Sequence, residues 1–212
     1  MLEKLKRFKI LQIFVIYLRY LIGFAWVYAS IVKIQSERFT SVDGINAPIN
    51  SAWHMFETFY QSGIYWNFIG WSQLLIGGLL LTQRFSLLGA VYGLPIAANI
   101  FVITLSYDFA GTPIITGLML LGIIFLLIWD IRNLQVLLLP REFTYRTPDK
   151  NAEIYHKNWM YLGLVYFWGT ILNKVYFNTH MGFFLFMGGF VFLGILTLVI
   201  TVTKIPSRPL QG

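Results

Sequence analysis

Residues 10–33, ILQIFVIYLRYLIGFAWVYASIVK, decide the fold class. The run is long enough to cross a hydrocarbon layer of about 30 Å as one helix, and Arg19 is its only charge before Lys33. The basic start MLEKLKRFK resembles a secretory leader. The apolar stretch nevertheless continues through Ile34 without a short small-residue cleavage site, so the expectation is a retained first span. Five further apolar runs follow at 64–82, 85–107, 113–138, 158–176 and 181–203. Gln83-Arg84 and residues 108–111 are short enough to make tight antiparallel hairpins, and Thr112-Pro113 marks an N-cap followed by proline at the first helical position.

Composition excludes a water-soluble chain. Hydrophobic residues make up 57% and charged residues 12%, with a mean hydropathy of +0.66, whereas a soluble domain is about 25% charged. The net charge of +7 does not point to nucleic acid, because the basic residues sit at the ends of the apolar runs. The absence of cysteine removes disulfides, thiolate nucleophiles, cysteine-ligated zinc and iron–sulfur centres. Redox chemistry would therefore belong to a cofactor or a partner.

Basic residues also orient the chain. Twelve lysines and arginines fall on the side of the N-terminus, among them Lys4, Lys6, Arg7, Lys9, Arg84, Arg132, Arg141, Arg146, Lys150 and Lys157, and three on the other side: Lys33, Arg38 and Lys174. Short cytoplasmic loops carry the positive excess, so both ends are expected in the cytoplasm of a bacterial inner membrane. The segment 51–62 places Trp53, Phe56, Phe59 and Tyr60 at helical spacing behind Ser51, which predicts an amphipathic helix on the outer surface. Residues 139–157 are polar and read as a cytoplasmic linker between a bundle at 1–138 and a helical hairpin and tail at 158–212.

Polar residues within spans are costly in lipid and turn inward, so a functional reading starts from them. Arg19, Gly23, Trp26, Ser30 and Lys33 repeat at intervals of four and three and share one stripe of the first helix. Thr112, Thr116, Met119, Ile123 and Asp130 form a second stripe. Arg19 and Asp130 are the expected intramembrane ion pair, acting either as part of a site or only in helix packing. The ligand candidates are Lys33, Glu57, Asn67, Gln73, Asn99 and Asp108, with Lys33, Glu57, Asn67 and Asp108 joined by Glu37 and His54 in a polar rim at the outer mouth. Gly70 and Gly77 lie on the Gln73 side, where they would admit a neighbouring backbone, and Pro95 frees a carbonyl near Asn99. His54, His156 and His180 lack metal-site spacing, and neither a phosphate loop nor a nucleophile elbow is present, so no metal and no catalytic residue is assigned.

The order Arg19-x3-Gly23-x9-Lys33, Ile69-Gly70-x-x-Gln73-Leu-Leu-x-Gly77-Gly78, Arg84-x4-Gly89-Ala90, Ala98-Asn-Ile-Phe-Val-Ile-Thr104 and Gly111-Thr-Pro-Ile-Ile-Thr-Gly leading to Leu127-Ile-Trp-Asp130 resembles the DoxX family of small membrane proteins. The likeness covers residues 10–138. It implies an antiparallel four-helix bundle, here with two added spans, and an association with thiosulfate and quinone oxidation and with thiol-oxidant defence. Of the family's first-helix pattern, Arg19, Gly23 and Lys33 match.

The expected fold is thus an all-α integral membrane protein, a DoxX-like four-helix bundle plus two transmembrane helices, about six spans in all. Three functions stay open. One is an accessory or assembly subunit of a larger inner-membrane complex with no chemistry of its own. Another is a quinone- or lipid-binding subunit of an oxidoreductase. The third is a small transporter, which would show broken helices or repeated halves. The expected partners are membrane lipid and other membrane proteins, with no cofactor evident beyond a quinone or lipid.

Overall fold

The computed structural model describes residues 5–138, 157–176 and 180–203, and among them every regular element is a helix. In chain order these are α1 (Lys9–Ile34), α2 (Ala52–Gln61), α3 (Ile64–Leu81), α4 (Ser86–Ser106), α5 (Thr112–Trp129), α6 (Ile131–Leu138), α7 (Lys157–Tyr176) and α8 (His180–Thr203). Five are long and apolar enough to cross a membrane: α1, α3, α4, α5 and the Gly182–Thr203 part of α8. The chain is a multi-pass membrane protein. α7 has 20 residues but falls outside that set, diluted by Lys157, Asn158, Asn173 and Lys174. The 139–156 portion of the expected linker, with His156, and the tail from Lys204 lie outside the described residues.

Two expectations about element ends are corrected. The run 113–138 is not one helix: α5 stops at Trp129, Asp130 takes φ −97° and ψ 17°, and the backbone N–H groups of Asn133 and Leu134 donate to Asp130 O to start α6. At the start of α5 the cap is Gly111 rather than Thr112, because the turn needs φ +77°, a left-handed value that glycine takes without strain. Ser51 does cap α2, its Oγ accepting from the N–H of His54 at 3.3 Å.

α1 is the axis of the molecule. One of its faces meets α3 so closely that a β-carbon built on Gly77 would stand 2.7 Å from Gly23 O, and one on Gly70 would stand 2.9 Å from Lys33 Cβ. Lipid supplies no hydrophobic drive between helices, so contact of this kind, dispersion between closely approached backbones, is what holds them together. α4 and α5 complete a four-helix packing around Val15, Ile22, Trp26, Ile76, Leu80, Ala90, Ala97, Ile123, Leu126 and Trp129. An adjoining face of α1, carrying Ile16, Tyr20, Val27 and Ile31, packs with Leu81 against Trp159, Leu162, Tyr166 and Phe190 of α7 and α8.

The hairpin is fastened by tyrosines. Tyr20 donates its hydroxyl to Trp159 O, Tyr17 to Gly194 O at 2.9 Å, and Tyr166 to Phe190 O at 2.7 Å. Interhelical bonds of this kind in a membrane contribute about 0.6 kcal/mol each, up to about 1.7. Trp159 lies beside Tyr17 and Tyr20 while Lys174 Nζ lies 5.1 Å from the Tyr28 ring, so α7 runs parallel to α1 over this length. Phe183 meets Tyr28 and Phe190 meets Phe24, so α8 returns antiparallel.

At Gly163 a β-carbon would stand 1.7 Å from Leu81 O, a backbone atom that cannot rotate away. Gly163→Ala is expected to loosen α7 from α1 and α3 and to lower the thermal midpoint in detergent by an amount equivalent to about 1–3 kcal/mol or more. Gly188→Ala, where a β-carbon meets open space, should leave the midpoint unchanged or raise it.

Candidate functional site

The bundle interior carries polar groups at two levels, separated by the apolar layer around Gly23, Trp26, Gly93 and Ile123. At the level of the α3–α4 turn, Arg19 Nη2 stands 2.8 Å from Asp130 Oδ2, with the two side chains 4% and 16% exposed. Arg19 Nη1 donates to Gln83 Oε1 at 3.3 Å, and Gln83 Nε2 donates to Ile16 O at 3.3 Å. Gln83 occupies the left-handed region at φ +59°, an uncommon setting for a side chain that aims its amide back at α1. Arg19 thus ties α1, the α3–α4 turn and the α5–α6 break to one charge. The part played by Gln83 was not legible from its place in a two-residue hairpin loop.

The other level lies beneath α2. Lys33 is 7% exposed, and its Nζ donates to Ala29 O at 2.9 Å while standing 4.7 Å from the Phe39 ring and 5.1 Å from the Trp66 ring. Among the described residues no carboxylate pairs with it. Cation–π contact with two rings offsets part of the desolvation of the ammonium. Trp66, Gly70, Gln73 and Gly77 form the stripe of α3 that is buried, and Gln73 is 4% exposed with an Oε1 that has no hydrogen-bond partner. Ser30, one turn from Lys33 on α1, is fully buried and donates to Val27 O at 2.6 Å.

Glu57 does not join Lys33. It is buried and accepts from Arg38 Nε at 2.9 Å, Arg38 Nη2 at 3.0 Å, Gln61 Nε2 at 3.1 Å and the Gly44 N–H at 3.4 Å. Arg38 also stacks its guanidinium 4.9 Å from the Tyr60 ring and stands 3.8 Å from Asp43. This fork-to-fork pair pins α2 and the 36–44 loop to each other. Trp53 and Phe56 of α2 rest on the Phe109 ring in the α4–α5 loop at 5.2 and 4.8 Å, which closes the cap. Opposite charges nineteen residues apart in one external segment are the signal in the sequence for the Arg38–Glu57 pair.

The remaining candidates are dispersed. Asn67 is half-buried, 3.5 Å from Ser36 Oγ. Asn99 and Asp108 are exposed. Glu37 is exposed, offering its backbone oxygen to Trp66 Nε1 at 3.0 Å, and His54 is half-buried. Thr104 and Thr116 share a buried hydroxyl contact of 2.8 Å between α4 and α5, a link that only packing revealed. Among the described residues no three metal-ligating side chains gather. Compared with known proteins, the chain matches no family model, no curated protein and no solved structure.

Removing one partner of the Arg19–Asp130 pair strands a charge in the membrane. Asp130→Asn is expected to cost about 3 kcal/mol, the lower part of the range for buried pairs because Asp130 is partly exposed, whereas Arg19→Met with Asp130→Leu should cost much less. Unfolding in detergent by denaturant titration measures both.

The Arg38 guanidinium, bonded to both oxygens, holds Glu57 below its ordinary value of 4.5 against the opposing effect of burial, with help from Gln61 and Gly44. A carboxyl whose folded-state pKa is lowered stabilises fully above the unfolded value. That stabilisation is lost as pH falls below 4.5 and through the folded value. Hydrogen exchange of the α2 amides should therefore rise on acidification across that window beyond the intrinsic rate change, and Glu57→Gln should abolish the pH-dependent part.

Proposed function

We propose that this chain is a six-span protein of the bacterial inner membrane, with both ends in the cytoplasm, that binds the polar head of a quinone-class lipid-soluble ligand beneath the α2 cap. Lys33 carries the reading. A lysine this deeply buried, with no carboxylate partner and one backbone acceptor among the described residues, keeps donors available for a ligand carbonyl. Gln73 Oε1, buried and unpartnered on the adjoining helix, is an acceptor suited to the hydroxyl of a reduced quinone. Phe39 and Trp66 provide flat apolar walls beside the ammonium. The DoxX resemblance, with its association with quinone oxidation, points the same way. The sixth span in this reading is α7, which runs beside α1 with its polar residues near its two ends.

Binding would hold and orient the head. With no cysteine in the chain, electrons would come from, and pass to, a cofactor or a partner subunit. Titrating the detergent-purified chain with a short-tailed quinone should quench tryptophan fluorescence saturably. Lys33→Met should weaken that binding by about ten-fold or more, the equivalent of one hydrogen bond from a charged donor. Equal affinity in wild type and variant rejects the ligand site. Equal affinity together with a stable heteromeric complex on purification moves the assignment to an accessory subunit.

A further inference from the structure

A second site lies on the outer surface of the bundle, between α3 and α7. A groove of about 450 Å3 runs there, walled by Trp71, Leu74, Leu75, Leu79, Phe167 and Trp168 and bottomed at Gly78, with Thr82 its one polar lining side chain. Trp71, Leu75 and Trp168 are more than half exposed, so the groove opens toward lipid. From Trp71 to Thr82 it extends for eleven residues of helix, about 16 Å. α3 and α7 touch where Gly163 meets Leu81 O, and a β-carbon on Gly78 would already meet the Phe167 ring at 3.1 Å, so the two helices close the floor of the groove.

The groove ends at cations. Arg84 lies two residues beyond Thr82, and Lys157 opens α7 six residues before Gly163, so both stand at the Thr82 end. Both are exposed, and among the described residues neither pairs with a carboxylate. Arg84 rests its guanidinium 5.5 Å from the Phe85 ring. We propose that the groove holds one acyl chain of an anionic membrane phospholipid whose phosphate is bound by Arg84 and Lys157. An apolar, lipid-facing slot long enough for a stretch of hydrocarbon chain, with two cations at one end that pair with no carboxylate among the described residues, matches the two parts of such a lipid. The cationic end of the groove is separate from Lys33, which packs against Gly70 near the other end of α3.

The test uses the full chain in mild detergent, incubated with dioleoyl phosphatidylglycerol or dioleoyl phosphatidylcholine and read by native mass spectrometry. Wild type should retain one phosphatidylglycerol per chain in preference to phosphatidylcholine. Arg84→Gln with Lys157→Gln should lower that preference by about ten-fold or more. Leu75→Trp, or Leu164→Trp on the α7 wall, which also lines the groove, should abolish retention of both lipids while the monomer peak and thermal midpoint stay as in wild type. Lys33→Met should leave phosphatidylglycerol retention unchanged, which keeps this outcome independent of the quinone reading. Equal retention of the two lipids by wild type, or wild-type retention of phosphatidylglycerol in the charge variant or in a folded groove variant, overturns the proposal.

Discussion

Between Gly23 and Gly77 there is no room for a β-carbon, and that contact governs how the rest of the molecule is arranged. Because the backbones of α1 and α3 approach this closely, side chains on either flank of α1 are displaced to the two sides. One set, Val15, Ile22 and Trp26, fills the four-helix interior; the other, Ile16, Tyr20 and Val27, meets α7 and α8. In hydrocarbon, where burial of apolar surface gives helices no reason to associate, closeness of approach and interhelical hydrogen bonds must do so. Glycine at the α1–α3 crossing and again at Gly163 supplies the first, and the hydroxyls of Tyr17, Tyr20 and Tyr166 supply the second.

Polar groups divide along the same axis. Arg19 has a carboxylate and an amide within reach and joins three segments that meet at one end of the bundle. Among the described residues Lys33 has neither, and Glu57, expected beside it in the outer rim, is engaged by Arg38, Gln61 and Gly44. An apolar layer separates the two cations, so a ligand at Lys33 would be insulated from the Arg19 network. The α2 cap, held by the Arg38–Glu57 fork and by aromatic contact with Phe109, shields the Lys33 end from water and strengthens any hydrogen bond made there.

The α7–α8 hairpin shares a buried cluster with α1 rather than standing beside the bundle as an attachment. It also creates what the four helices alone would not have, the bilayer-facing groove along α3.

Much of this was legible in the residues themselves. Long apolar runs, the hairpin breaks, the Ser51 cap, the glycine stripe of α3 and the four-and-three spacing that sets Arg19 in line with Lys33 are local properties, fixed by helical period and by the cost of polar groups in lipid. What tertiary structure alone decided is which distant groups meet. Glu57 binds Arg38 instead of rimming Lys33, Gln83 turns to Arg19, Asp130 breaks the fourth run, and Asn99 and Asp108 are exposed. The reason is physical: periodicity tells which face of a helix a residue occupies, but a partner lies on another helix whose distance and rotation depend on backbone contacts such as Gly23–Gly77 and Gly163–Leu81.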